Sequence, residues 1–272
     1  MNKVRTSVIF STYNQLEWLE KVLWGYEQQS CTDFEIVIAD DGSKQETAEL
    51  IKRFQEEGKL KITHVWHEDN GFQKSAILNK AIQAAKAEYL IFSDGDCIPR
   101  KDFVEVHLQH CKPGHFISGG YFMLPMETSK AITQQNIING DCFDKNWLYA
   151  HGLKPTYKTL KLTAHGWKSA FLNWITPTKA TWNGHNASGW KSDLVAANGF
   201  DERMQYGGQD RELGERLVNA GIQPIQLRYS AICIHLDHPR GYKNQASIDK
   251  NKAIRKHTRS SGKTRTEFGI VK

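Results

Sequence analysis

A chain of 272 residues that is 39% hydrophobic and 11% aromatic can bury a sizeable core. Its five cysteines, Cys31, Cys97, Cys111, Cys142 and Cys233, include no CxxC pair and exclude a zinc knuckle or a disulfide framework. No apolar run approaches the roughly 18 residues of a membrane span and the polar N-terminus carries no secretion signal, so the sequence predicts a cytoplasmic globular protein. The net charge of +6 is uneven: residues 250–272 hold eight Lys or Arg against Glu267 alone, a +7 that leaves residues 1–249 at −1. That segment reads as a basic tail, either solvated or in peripheral contact with an anionic membrane, and the neutral body argues against nucleic acid as a partner.

In chain order, residues 4–10 form a first apolar strand that runs into the polar loop Ser11-Thr12-Tyr13-Asn14. A helix over 15–29 places Leu16, Leu19, Leu23 and Tyr26 on one face at spacings of three and four. A strand over 34–39 ends in Asp40-Asp41-Gly42-Ser43, and a helix over 45–57 turns Ala48, Ile51 and Phe54 inward. A strand over 60–66, a helix over 75–86 and a strand over 89–93 follow. Strands alternating with helices predict an α/β domain with a mostly parallel sheet flanked by helices, whose ligands bind at the carboxyl ends of the strands. The strand over 89–93 delivers Asp94-Gly95-Asp96 to such an end. Residues two apart in extended chain point the same way, so both carboxylates converge on one spot, where Mg²⁺ or Mn²⁺ would complete its shell with a phosphate. An Asp-Gly turn that merely ends a strand is the plainer alternative. No G-x-G-x-x-G follows the first strand, and Ser261-Gly262-Lys263-Thr264 lacks both the first glycine and the preceding strand of a P-loop.

Taken together, Val8-Ile9-Phe10-Ser11-Thr12-Tyr13-Asn14, Asp40-Asp41-Gly42-Ser43, Asn70-Gly71-Phe72 with Asn79-Lys80-Ala81-Ile82, and Asp94-Gly95-Asp96 resemble the inverting family 2 glycosyltransferases of GT-A fold. The resemblance implies a single Rossmann-like domain over 1–249. Residues 1–125 would bind a nucleotide-sugar, and a smaller half over 126–249 would hold the acceptor and the catalytic base. It implies that Ser11, Tyr13, Asn14, Asp41, Asn70, Gly71, Phe72, Asp94 and Gly95 contact the donor, expected to be a UDP-sugar. Asp96 and Asp94 would hold the metal. Two departures from the family pattern are Ser11 in place of its usual proline and Gln73 and Leu78 in place of basic residues, so Lys74 is the expected phosphate contact.

Beyond residue 101 a helix is expected over 103–110 and a strand over 116–123, with Gly119-Gly120 admitting a close backbone approach to a ligand. Residues 134–182 have no clear period yet carry Trp147, Tyr149, Tyr157, Trp167, Phe171, Trp174 and Trp182, which either stack on sugars or fill the core. The polar loop Asn183-Gly184-His185-Asn186 leads into 190–197, and a helix begins near Tyr206-Gly207-Gly208-Gln209-Asp210 and ends at Gly221. The segment 183–221 is similar to the C-terminal half of galactosyltransferase-type enzymes. That similarity makes Asp210 the base, puts Gln209 where the family has Glu, and places Asn186, Gln209 and Trp190 beside the acceptor. Two last strands, 225–227 and 231–234, deliver His235-Leu236-Asp237-His238, where the resemblance implies a metal or diphosphate ligand. His235 is the choice and His238 the alternate, and imidazole ligation favours Mn²⁺ over Mg²⁺. The function implied is metal-dependent transfer of one hexose or hexosamine to a glycan or lipid-linked glycan, in cell-surface polysaccharide or lipopolysaccharide synthesis. A sugar-nucleotide or glycan-binding module of the same fold is the rival.

Overall fold

The computed structural model describes residues 4–239 and 244–272; residues 1–3, at the start of the polar N-terminus, lie outside the described residues. Four parallel strands, β1 (Thr6–Thr12), β2 (Phe34–Asp40), β3 (Ile62–Trp66) and β4 (Tyr89–Asp94), come from the first third of the chain. Four more, β5 (Cys97–Pro99), β6 (His115–Met123), β7 (Asn186–Trp190) and β8 (Gln223–His235), extend the same sheet in the order β3-β2-β1-β4-β7-β6-β8-β5. The second half is mixed: β7 runs antiparallel to both β4 and β6, whereas β6 and β8 are parallel. The two strands expected over 225–234 are one, with a register shift opposite Gly119 and Gly120.

The alternation of strands sorts side chains between two cores. Val8, Phe10, Ile36, Ile38 and Ile91 face one side, where α1 (Leu16–Glu27), α2 (Gln45–Glu57) and, later, α4 (Phe103–His110) pack. Ile9, Val37, Ala39, Leu90 and Phe92 face the other, against α3 (Lys74–Ala84) and, further on, α10 (Lys191–Ala196) and α11 (Gln209–Asn219). The inward residues of α1 are Trp18, Leu19, Val22, Leu23 and Tyr26; Leu16, expected on that face, opens the helix and is exposed. In α11 the Glu212–Arg216 pair, four residues apart, is fully buried, and the guanidinium also donates to the Ala197 and Gly199 carbonyls.

The stretch over 134–182 is not irregular. Beyond α5 (Met126–Ala131) it contains α6 (Gln134–Asn139), α7 (Lys145–Ala150), α8 (Leu160–Thr163) and α9 (Gly166–Ile175). Its aromatics divide: Trp182 is fully buried in the second core, whereas Trp167 and Trp174 are 74% and 79% exposed and do not line the cleft at the carboxyl ends of β1, β2 and β4.

Residues 250–272 are not a tail. Most belong to α12 (Gln245–Ser261), which packs on α11, and the chain beyond it returns to the body. Polar contacts do the docking: the Asn251 amide reaches the carbonyls of Gln205, Tyr206 and Gly207, and Thr258 donates to Glu212. Asn198 donates to the Thr266 and Val271 carbonyls. Much of the basic charge is used internally, since Glu215 pairs with Arg255 and Arg259, Asp249 with Lys252, and Glu267 with Lys263. Among the described residues, no helix is long and apolar enough to cross a membrane.

Candidate functional site

The carboxyl ends of β1, β2 and β4 open into a cleft of about 970 Å³ that also receives β6, β8, the loop before β7 and the start of α11. Its size suits a ligand larger than a single sugar ring. On the first wall, Asp41 at the end of β2 accepts from His67 Nε2 at 2.8 Å and from the Gln73 N–H at 3.0 Å. Burial raises the Asp41 pKa against these contacts. Lys80 lies 3.3 Å from His67 Nδ1, which makes Nδ1 the acceptor and Nε2 the donor. Asn14, in the left-handed region at φ 50°, donates its N–H to Ser43 Oγ and accepts from the Lys44 N–H at its Oδ1, so the loops after β1 and β2 brace each other. Tyr13 donates to Asp69.

Asp94 and Asp96 both project into the cleft. Gly95 between them donates to the Ser11 carbonyl, and a Cβ there would lie 2.8 Å from that oxygen. Only glycine lets β4 end so close to β1. Asp94 Oδ1 accepts from Lys74 Nζ at 2.6 Å and from Ser11 Oγ at 3.2 Å. Burial alone would lower the Lys74 pKa; Asp94, with Asp96 and Asp210 further off, reverses this and holds the ammonium above its usual range. Asp96 meets two imidazoles: His238 Nε2 lies 3.0 Å from Oδ2 and His235 Nε2 3.8 Å from Oδ1. Burial would raise the Asp96 pKa, but His235, His238 and Lys74 outweigh it and hold it at about 2. Both histidines of the sequence choice, His235 and His238, face the same carboxylate. Each directs Nδ1 to a backbone carbonyl, of Leu236 and Pro239 respectively, which leaves Nε2 as the atom aimed at Asp96. One carboxylate and two Nε2 atoms form a donor set that suits a divalent transition metal. Cys97 Sγ lies within 4.8 Å of ligand atoms of Asp96 and His235, but burial keeps its thiol protonated.

On the opposite wall Gly208, at φ 88°, caps the N-terminus of α11, and Asp210 follows in the first turn. Its carboxylate is held by two backbone donors, Gly184 N–H at 3.0 Å and Arg211 N–H at 2.8 Å. Gln209 is largely buried and spends its Oε1 on the Gly207 N–H, although it still lines the cleft.

Three expected contacts are not brought here. Trp190 ends β7 opposite Tyr89, at the start of β4 and so at the far end of the strand from Asp94, where its indole stacks edge-on to Tyr89 and donates to the Lys112 carbonyl. Asn186 lies at the near end but is fully buried, and its amide is consumed by the Gly120 and Ala231 carbonyls and by His107. Asn186-Ala187-Ser188 matches the Asn-x-Ser glycosylation pattern, but it lies in β7 with the asparagine amide buried and closed to modification. Asn70 is exposed and turns its amide toward the Glu68 carbonyl. Gly119 and Gly120 admit protein rather than ligand: a Cβ on the first would overlap the Asn186 amide and on the second the Arg228 carbonyl.

Sequence reasoning passed over His185. It lines the cleft with its ring 4.4 Å edge-on from Tyr121, and its Nε2 is buried with no hydrogen-bond partner among the described residues. Burial lowers its pKa against the pull of Asp94 and Asp210, so the ring is neutral. A histidine in a polar loop ahead of a strand was the only signal in the sequence. Lys252 and Arg255, assigned to the tail, line the same cleft from α12.

The family model described as glycosyl transferase family 2 matches residues 7–168. An uncharacterized glycosyltransferase of Bacillus subtilis is 27% identical over 91% of this chain and 69% of its own length. A chondroitin synthase of Escherichia coli is 27% identical over 91% of this chain, which spans 37% of that longer protein. Among solved structures, a mannosyltransferase from Pyrobaculum calidifontis in complex with GDP-Man and Mn²⁺ superposes with a TM-score of 0.58 at 21% identity, over 88% of this chain and 58% of the other. S. aureus TarS in complex with UDP-GlcNAc gives 0.54 at 16% identity, over 88% and 60%. At these identities the structural likeness is one of fold.

Proposed function

Because the chain belongs to glycosyl transferase family 2 and is a glycosyltransferase, we propose that its cleft moves one hexose or hexosamine, with inversion, from a nucleotide-sugar to a hydroxyl of a glycan or lipid-linked glycan. The observation that carries this reading is the meeting of Lys74–Asp94 and Asp96–His235/His238 in a cleft that also holds Asp210. Tyr13, Asn14, Asp41 and the Gly71-Phe72 turn receive the base and ribose. We expect uracil, although the solved neighbours carry either UDP-GlcNAc or GDP-Man.

Asp96, His235 and His238 would hold the metal, with Mn²⁺ preferred over Mg²⁺ for two imidazole nitrogens. Asp94 has already committed Oδ1 to Lys74 and Ser11, so any share it takes in the metal falls to Oδ2. When bound, the cation neutralises charge on the departing diphosphate. Lys74, kept charged by Asp94, supplies a second positive charge to the same oxygens. Asp210 takes the proton of the acceptor hydroxyl as that oxygen attacks the anomeric carbon from the opposite face. The Gly184 and Arg211 N–H groups fix its orientation while leaving lone pairs for the incoming proton. His185 offers its neutral ring to a sugar hydroxyl, which would satisfy the orphaned Nε2. Gln209, beside Asp210, is the acceptor contact that remains of the three expected. Such an activity would serve cell-surface polysaccharide or lipopolysaccharide assembly.

Nucleoside diphosphate release from a panel of UDP-, GDP- and dTDP-sugars, with Mn²⁺ and with EDTA, tests the proposal. Release from one donor that stops in EDTA is the expected result. Full activity in EDTA would remove the metal from the scheme, and no release from any donor would return the chain to a binding module.

A further inference from the structure

Helix α9 is built inside out. Its buried side is polar: Ser169 accepts from Ser230, and Asn173 both donates to Ser230 Oγ and accepts from the Tyr229 N–H, which fastens the helix to β8. Its apolar side is exposed: Trp167, Phe171 and Trp174, at i, i+4 and i+7, form one stripe that is 74%, 49% and 79% accessible, with Ile175 next to it. A helix on a water-soluble surface normally carries the reverse pattern. Tyr157, 80% exposed, and Leu160 add apolar surface just before it in the chain.

The charge of this segment is equally one-sided. Between Asp144 and Asp193 the sequence has seven lysines and no Asp or Glu. Lys154, Lys158, Lys168 and Lys179 are exposed and enter no ion pair among the described residues; Lys168 lies 5.9 Å above the Trp167 ring. The contrast with α12 is one of pairing and of aromatics: there Lys252, Arg255 and Arg259 pair with Asp249 and Glu215, and the helix carries no Trp, Tyr or Phe. Exposed tryptophans in a segment that has unpaired exposed lysines and no acid match the chemistry of an anionic bilayer surface, where indoles lodge at headgroup level and ammonium groups meet phosphate. A protein interface with the same aromatics would be depleted in lysine.

We infer that α9 and the lysines around it form a docking surface for anionic lipid, which would hold the enzyme at a membrane. The inference goes beyond the transfer reaction and does not depend on it. Insertion of the aromatics supplies the part of the binding that salt does not screen, and the lysines supply the part that it does.

Co-sedimentation of the full chain with vesicles of phosphatidylcholine alone, or containing about a third phosphatidylglycerol, tests this without any assay of activity. The protein should pellet with the anionic vesicles at low ionic strength and be only partly released by salt. Binding should weaken at least about tenfold when Trp167, Phe171 and Trp174 are all changed to Ser. A second variant with Lys154, Lys158, Lys168 and Lys179 changed to Gln should also bind more weakly. Changing Lys250 and Lys256 on α12 to Gln should leave binding unaltered. A wild-type protein that stays in the supernatant with anionic vesicles at low salt overturns the inference. So does an aromatic variant that pellets as well as wild type, or light scattering that shows the stripe mediating self-association in place of vesicle binding.

Discussion

The two walls of the cleft hold similar residue types under different constraints. On the wall built from β1, β2 and β4, every carboxylate already has a partner: Asp41 has His67, Asp94 has Lys74, and Asp96 has His235 and His238. On the wall built from the loop before β7 and the start of α11, Asp210 is held by backbone N–H groups and His185 keeps an unpaired nitrogen. The first wall pairs each carboxylate with a side-chain nitrogen, and Lys74 can turn its ammonium from carboxylate to phosphate. The second holds its groups in place while leaving atoms free for proton transfer and hydrogen bonding. The difference predicts that damage to the first wall removes binding and chemistry together, whereas damage to the second removes chemistry alone.

The largest effect is expected on the first wall. Asp96→Ala should lower transfer by about a thousandfold, since it removes the carboxylate on which both imidazoles converge, and steady-state rates with Mn²⁺ will measure it. Asp210→Asn can keep only one of the two backbone bonds, because its amide nitrogen cannot accept, and it cannot take a proton, so turnover should fall by roughly a hundredfold or more with the donor KM nearly unchanged. A collapse of donor binding with turnover per bound donor preserved would instead make Asp210 a binding residue.

The β1–β4 half was legible because each βαβ unit is local in sequence. Alternating apolar residues, Gly95 and the paired carboxylates announce their own geometry within a few positions. The other half rests on register and long-range polar contacts. Whether Asn186 and Trp190 reach the cleft depends on β7 running antiparallel between β4 and β6, which sets Asn186 opposite Ser93 and Trp190 opposite Tyr89. Nothing in the local pattern fixes that. Helix α12 escaped as part of the fold because it docks through Asn251 and Thr258 rather than an apolar stripe, and α9 because its stripe faces outward.

The mixed half of the sheet also has a titratable keystone. His107, on α4, is fully buried: Nε2–H donates to Asn186 Oδ1, and Nδ1 accepts from Ser188, whose hydroxyl accepts in turn from Tyr89. Burial lowers its pKa from 6.5 to about 4. The unfolded chain therefore binds a proton below about pH 6.5 that the folded chain refuses until about pH 4. Stability should be full above pH 7 and fall by about 2 kcal/mol by pH 5, in the sense that acid destabilises. Urea unfolding at the two pH values will measure this, and His107→Gln should flatten that part of the dependence even where it lowers stability overall.

The smallest effect is expected at His185. His185→Ala should cost about tenfold in kcat/KM for the donor, the worth of one hydrogen bond to a sugar, and leave the affinity for free nucleoside diphosphate unchanged. An equal loss for sugar-nucleotide and free diphosphate would move His185 to the first wall.

Calorimetric titration of UDP into wild type, Asp96→Ala and Asp210→Asn, each with and without Mn²⁺, separates the two walls most directly; if the panel selects another base, its diphosphate replaces UDP. The division of labour predicts Mn²⁺-dependent binding that Asp210→Asn retains and Asp96→Ala loses. Mn²⁺-dependent binding that survives in Asp96→Ala, or that disappears in Asp210→Asn, would contradict it.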